Sequence, residues 1–234
     1  MAGHSKWANI KHRKERADKK KGKLFSRIAK EIITAVKEGG ADPQANAKLK
    51  IVIQKAKDAN LPNDVIDRNI KKATSKDQKD YLEMSYELYG YGGVGLIVDI
   101  MSDNKNRISS EIRIAINKCG GNIATPGAVS FNFKRKGILK IDKKLIKEDE
   151  LFMKATDLGA EDFLVEDDTY TIISQVEDIH KIKEGISLKG EAALESLPNA
   201  LIECSDEDID SNIKLIEFLE NLDDVDAVYH NMKI

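Results

Sequence analysis

Apolar residues recur at helical spacing in three short stretches near the start of the chain. Phe25, Ile28, Ile32 and Val36 share one face, with Lys and Glu between them, and predict a helix of about a dozen residues that Gly39-Gly40 ends. A second helix follows Asp42-Pro43, with Leu49, Val52, Ala56 and Ala59 inward, and Asn60-Leu61-Pro62 breaks it. A third starts near Asn63, with Val65 or Ile66, Ile70 and Ala73 inward. Each has one apolar face, so the three are expected to pack as a small bundle.

From Tyr81 the pattern changes. Met84–Tyr89 alternates as a strand does, and Leu96–Met101 reads as a second, more buried strand. Between them Gly90-Tyr91-Gly92-Gly93-Val94-Gly95 is the densest glycine stretch in the chain and predicts a tight hairpin or a close backbone approach. A helix from about Asn104 places Ile108, Ile112, Ala115 and Ile116 inward and ends at Gly120-Gly121. A loop over Asn122–Gly127 and a strand over Val129–Phe133 follow. Residues 134–204 then read as strand Ile138–Ile141, a helix at 148–158, strands Asp162–Val165 and Tyr170–Ser174, a helix at 176–186 and a strand between Ala192 and Ile202. That order, β-α-β-β-α-β, is ferredoxin-like. A last helix starts at Ser205, a good N-cap, with Ile209, Ile213, Ile216 and Leu219 inward, and strand Val225–His230 closes the chain.

The expected fold is therefore α+β: an N-terminal three-helix domain plus two α/β domains, the ferredoxin-like one inserted in the other. The boundaries read as a basic segment and helical domain over 1–79, a discontinuous α/β domain over 80–133 plus 205–234, and an inserted domain over 134–204.

Charge sharpens this division. The chain of 234 residues has a net charge of −2, but residues 1–79 hold 21 Lys and Arg against 9 Asp and Glu, a net of +12, leaving −14 for the remainder. A basic first third on an acidic remainder suggests a module that binds a polyanion, carried by domains that repel it. The first thirty residues hold eleven of the cations, the only Trp and two of the four His. Lys6, Lys11, Arg13, Lys14, Arg16, Lys19, Lys20, Lys21, Lys23 and Arg27 are candidates to meet phosphates, with His12 beside them and Trp7 placed to stack on an unpaired base. Asn104, Asn106 and Arg107, at a helix start, are candidates for a secondary contact, although Asn104 or Asp103 also suits a helix cap. Lys134, Arg135 and Lys136 form a small basic turn.

Other chemistry has little to stand on. Cys119 and Cys204 lack zinc-site spacing and are too few for a disulfide framework, and His4 and His12 have no ligand partner at useful spacing. No metal or cofactor is expected. The glycine loop formally fits G-x-G-x-x-G but runs from strand to strand, whereas a dinucleotide site needs a helix after it. No Ser/His/Asp arrangement stands in a recognisable context, so no enzyme is expected. No apolar run nears the length of about 18 residues that spans a bilayer, and no secretory signal is visible, so the expected location is cytoplasmic, away from membranes.

Residues 3–14, GHSKWANIKHRK, resemble the signature start of the YebC/PmpR family. The resemblance continues in Lys23-x-Phe25, Gly39-Gly40-x-Asp42-Pro43-x-x-Asn46, Asn60-x-Pro62, Tyr89-Gly90-x-Gly92-Gly93, Asp103-Asn104-x-Asn106-Arg107 and Gly120-Gly121-Asn122 leading to Val129-Ser130-Phe131. Tyr91, Asp99 and Ala128 depart from the family pattern, standing where proline, glutamate and serine are usual. The resemblance implies a helical domain plus two α/β domains. It also implies a non-enzymatic DNA-binding transcriptional regulator or, alternatively, a ribosome-associated translation factor that contacts ribosomal RNA, as described for a mitochondrial translational activator of cytochrome c oxidase. Nucleic acid is then the partner of the basic segment, and the acidic α/β domains are free to receive a protein.

Overall fold

The computed structural model describes residues 5–75 and 80–233, with the side chains of 5–21 outside the described residues. Among the described residues the chain forms seven α-helices and two four-stranded sheets, an α+β fold. It folds as two compact units. One comprises Met1–Ser85, Asp99–Ala115 and Glu217–Ala227, and the other Tyr86–Val98, Ile116–Ile216 and Val228–Ile234.

The first unit opens with α1 (Ser5–Gly39), followed by α2 (Ala47–Asp58) and α3 (Asn63–Ala73). Ile28, Ile32 and Val36 of α1 close a core with Leu49, Val52 and Ala56 of α2 and Ile66 and Ala73 of α3, as their spacing predicts. Asn46 joins the pieces: its Oδ1 accepts the Leu49 N–H at 3.0 Å as an N-cap, and its Nδ2 donates to the Ala35 and Gly40 carbonyls. The length of α1 corrects the sequence reading, which began this helix near Phe25. Apolar periodicity does stop there. However, residues 5–24 contain no proline and one glycine, Gly22, among Ala, Lys, Arg and Glu, so propensity carries the helix where no apolar face exists.

The first sheet has the order β3-β1-β2-β8, from β1 (Leu82–Tyr89), β2 (Gly95–Ser102), β3 (Asn122–Ile123) and β8 (Val225–His230). The tight hairpin is present: Gly92 and Gly93 adopt φ of 64° and 79°, which only glycine does freely, and the Gly90 N–H donates to Val94 O at 2.8 Å. Helix α4 (Lys105–Cys119) buries Ile108, Ile112 and Ala115. The strand expected over Val129–Phe133 does not form. The Glu87 carboxylate instead accepts the N–H groups of Gly127, Val129 and Ser130 at 2.6–2.8 Å, and the donors a strand ladder would use turn the chain into a 3₁₀ turn, Ser130–Asn132. The third strand is the short β3, inside the expected loop.

Helix α7 (Asp206–Glu220) starts as expected, with Ser205 Oγ accepting the Asp208 N–H at 3.2 Å. Its buried line is Asn212, Leu215 and Leu219, whereas Ile209, Ile213 and Ile216 are half-buried. Asn212 explains the rotation. It is fully buried, and its side chain accepts the Tyr91 N–H at 2.8 Å and donates to Tyr91 O at 3.1 Å, a polar clasp on the hairpin that apolar periodicity cannot register.

The second sheet comes from β4 (Phe133–Asp142), β5 (Asp162–Val165), β6 (Thr169–Ser174) and β7 (Gly190–Pro198), with α5 (Glu148–Leu158) and α6 (Ile179–Ile186) between. Its order is β5-β6-β4-β7 with every pairing antiparallel, the ferredoxin-like arrangement. Leu139 and Ile141 of β4 and Tyr170 and Ile172 of β6 pack on Leu151 and Ala155 of α5 and Ile179, Ile182 and Ile186 of α6.

Candidate nucleic-acid interface

Helix α1 carries most of the candidate contacts. The side chains of Lys6, Trp7, Lys11, His12, Arg13, Lys14, Arg16, Lys19, Lys20 and Lys21 lie outside the described residues; their backbone belongs to the helix. Lys23, Arg27 and Lys30 are spaced four and three apart, so they share one face of α1.

That face is turned onto the segment that links α7 to β8. Lys23 Nζ donates to the Leu222 and Val225 carbonyls, each at 2.9 Å, and burial lowers its pKa. Arg27 Nε donates to Glu31 Oε1 at 2.9 Å, and its guanidinium lies 3.7 Å from Asp226. Burial opposes the Arg27 charge, but Asp226 and Glu31 outweigh it and raise its pKa. Asp226 itself is pushed up by burial in spite of Arg27. Lys30 Nζ donates to Met101 O at 2.7 Å and to Asp224 Oδ1 at 3.0 Å.

Asp224 is the hub of this cluster. Its second oxygen accepts from Ser102 Oγ at 2.7 Å and from Arg107. Burial alone would raise the Asp224 carboxyl, but the hydrogen bonds from Arg107, Ser102 and Lys30 hold it below the ordinary carboxylate value. The same bond to Asp224, with a second to Asp103, raises the Arg107 pKa. An open cleft of about 480 Å³ beside the cluster is lined by Lys23, Lys30, Asp223 and Asp224 together with Gly22, Ser26 and Asn221.

The secondary candidates divide. Asn104 is the cap of α4: its Oδ1 accepts the N–H groups of Asn106 and Arg107 at 3.1 and 3.0 Å. Arg107 faces Asp103 and Asp224, and Asn106 is exposed. The sequence reading missed the roles of Lys30 and Asp224. No local signal marks them: Lys30, two residues from both Ile28 and Ile32, lies on the far side of the helix from that apolar face, where a lysine is ordinary. Among the described residues no group of three His, Cys, Asp or Glu could hold a metal ion, and no helix is long and apolar enough to cross a membrane.

Two family models match in order. One, described as the TACO1/YebC protein N-terminal domain, matches residues 5–76, and the other, the TACO1/YebC second and third domain, matches residues 81–232. The chain belongs to the TACO1/YebC family. Curated relatives within it include a protein named probable transcriptional regulatory protein in Protochlamydia amoebophila, 62% identical over 238 residues, covering 100% of this chain and 97% of that one. Another with the same description, from Chlamydia muridarum, is 54% identical over 237 residues, covering 99% of this chain and 100% of the relative. A conserved hypothetical protein of Aquifex aeolicus has a crystal structure similar to this one, with a TM-score of 0.83, 38% identity, and coverage of 98% of this chain and 97% of the other. The family match includes Lys23, Arg27 and Lys30 on one side and Asn104, Asn106 and Arg107 on the other.

Proposed function

We propose that this chain is a non-enzymatic, nucleic-acid-binding regulator that grips DNA through the N-terminal part of α1. One observation carries the reading. The cations nearest the helical core, Lys23, Arg27 and Lys30, are committed to carbonyls and carboxylates of the same unit. The surplus of positive charge in α1 therefore falls on residues 6–21, with eight Lys and Arg against Glu15 and Asp18. A helix of 35 residues is about 50 Å long, enough to lay such a segment along a nucleic-acid backbone. The relatives' names, probable transcriptional regulatory proteins, support the regulatory role. In this reading residues 1–79 act as the basic domain. Residues 80–133 with 205–234, interrupted by 134–204, form the acidic part, which repels the polyanion and receives a protein partner.

A second reading, a contact with ribosomal RNA, is favoured by α2 and α3. These two helices follow one another through a short connection, but α3, the later one, begins with exposed Asp64 and Asp67, which would repel phosphates where a recognition helix enters a groove. Non-sequence-specific contact by α1 suits irregular RNA as well as duplex.

One experiment separates the two. The protein is followed on sucrose gradients of cell lysate at low and moderate salt, and its affinity for promoter and random duplexes is measured in parallel. Preference for a promoter duplex, with no ribosome association, supports the DNA reading. Co-migration with ribosomes that nuclease abolishes replaces it with the second. Reversing Lys19, Lys20 and Lys21 to Glu should lower the slope of log K against log salt by roughly 3, since each phosphate contact contributes about 0.9. An unchanged slope would remove α1 as the contact surface.

A further inference from the structure

We infer that the free edge of β5 is a docking site for an extended, lysine- or arginine-rich peptide of a protein partner, which adds to the ferredoxin-like sheet as a fifth strand. This deepens the partner reading above; its test uses no nucleic acid, so the two can fail separately.

The first ground is the backbone. β5 is an outer strand, with β6 as its one neighbour in the sheet. The Glu166 N–H donates to Thr169 O at 2.9 Å and closes the two-residue hairpin Asp167-Asp168. Alternation along the strand then turns the C=O of Phe163 and the N–H and C=O of Val165 outward, away from β6, while the Phe163 N–H donates to Asp162 Oδ1 at 2.8 Å. Natural proteins blunt such edges with lysine or proline, or cover them. β5, Asp162-Phe163-Leu164-Val165, is short and carries one charge, Asp162, but has neither lysine nor proline, and Leu164 and Val165 are 43% and 50% exposed.

The second ground is the apolar wall beside the edge. Phe152 of α5 stands edge-on to Phe163 with ring centroids 5.5 Å apart, and Phe163 in turn lies 5.4 Å from Tyr170. Phe152 is 51% exposed and its neighbour Met153 is 65% exposed, although both belong to a helix whose inner face is already filled by Leu151 and Ala155. An added strand would set alternate side chains against Phe152, Phe163 and Val165 on one face and Leu164 on the other.

The third ground is charge, which selects the partner. Residues 155–180 contain eight Asp and Glu and no Lys or Arg. Asp162, Glu166, Asp167 and Asp168, on the strand and its hairpin, are exposed. Two nearby cations are paired: Lys136 with Glu161 at 2.6 Å, and Lys154 with Glu150 at 2.8 Å. Lys143 lies 5.4 Å over the Tyr170 ring, so this aromatic cluster already accepts a lysine. The opposite edge of the sheet is less suited. Tyr229 Oη donates to the Leu194 carbonyl of β7 at 3.3 Å, and Glu191 and Glu195 bracket the strand without an aromatic wall.

The test titrates the full chain with an acetylated, amidated heptapeptide of alternating Lys and Val and reads backbone amide exchange. The expected result is exchange at Val165 slowed at least tenfold at saturation. Leu164→Lys should weaken binding at least tenfold while leaving the thermal midpoint in place, since Leu164 is exposed. A peptide N-methylated on alternate residues, which cannot join a ladder on that side, and a Glu/Val peptide should both fail to protect this amide. Equal protection by the N-methylated peptide would replace strand addition with side-chain contact and overturn the proposal. Saturating Lys/Val peptide without protection of β5 would overturn it too. Protection that appears with protein concentration alone would make a second copy of the chain the occupant, contrary to the proposal.

Discussion

Lys30 Nζ lies 3.0 Å from Asp224 Oδ1, 194 residues apart in sequence, with both side chains about nine-tenths buried. An ion pair so desolvated is costly to break from one side, because the remaining charge keeps its burial and loses its partner. Lys30→Met should therefore destabilise the protein by about 3 kcal/mol, the low end of the range because Arg107 and Ser102 still serve Asp224. In a urea double-mutant cycle with Asp224→Asn, the two changes should couple by at least ~1 kcal/mol. Strict additivity would mean that the pair does not act as a unit.

Acid should expose the same hub. Asp224 and Glu87 both have pKa values held below the ordinary carboxylate value: burial opposes this in each, and hydrogen bonds win, from Arg107, Ser102 and Lys30 for Asp224 and from the backbone of Gly127, Ser130 and Val129 for Glu87. Groups depressed in the folded state add stability above the unfolded carboxylate pKa of about 4 and lose it as pH falls through their lower folded values. Asp226, raised by burial, has the opposite sign and softens the loss. The stability gap between the wild type and Asp224→Asn should be full at pH 6–7, begin to close near pH 4 and be smallest at the acid end. Urea titrations across that range would show it, and a gap constant with pH would refute the assignment.

The cations of α1 should sort into two classes. Lys23→Gln and Arg27→Gln should lower the thermal midpoint and leave the salt slope of nucleic-acid binding unchanged, since both side chains face carbonyls and carboxylates of the same unit. The Lys19–Lys21 reversal should do the reverse. Calorimetry paired with binding isotherms over a salt series checks both at once.

Asn212 gives a prediction that a helical wheel would get backwards. Asn212→Leu would complete an apolar line with Leu215 and Leu219, yet it removes both hydrogen bonds to Tyr91. It should cost about 2 kcal/mol in urea unfolding. A stabilised variant would mean the clasp is dispensable.

Phe131 and Phe133, two residues apart, should behave oppositely. Phe131 is 78% exposed on its 3₁₀ turn, and Phe133 is 9% exposed in a core with Ile97, Ala124 and Val129. Phe133→Ala should cost about 3 kcal/mol, and Phe131→Ala should stay within ~0.5 kcal/mol. Comparable losses would place Phe131 in a core.

The elements of this protein are local events, and most are legible in the chain. The periods of Ile28–Val36, Leu49–Ala56 and Ile108–Ala115 mark their helices because each element buries one face at its own spacing. The hairpin glycines announce a turn that needs positive φ, and Ser205 announces a helix start. The ferredoxin-like order follows from the alternation of strand and helix over residues 134–204, and the concentration of cations ahead of Phe25 is visible in composition alone.

Tertiary structure decided what long-range polar partners decide. Nothing local shows that Glu87 will take three backbone donors and turn Val129–Phe133 from strand to 3₁₀ turn, because the carboxylate is 40 or more residues from its donors. Nothing local separates Lys23, Arg27 and Lys30, which hold Leu222–Asp226, from the equally basic residues before them. A lysine reads the same in sequence whether it faces solvent or a buried aspartate 194 residues away. Hydrophobic period encodes which face is inside; it does not encode which charge is satisfied, and that depends on a partner brought near only when the whole chain has folded.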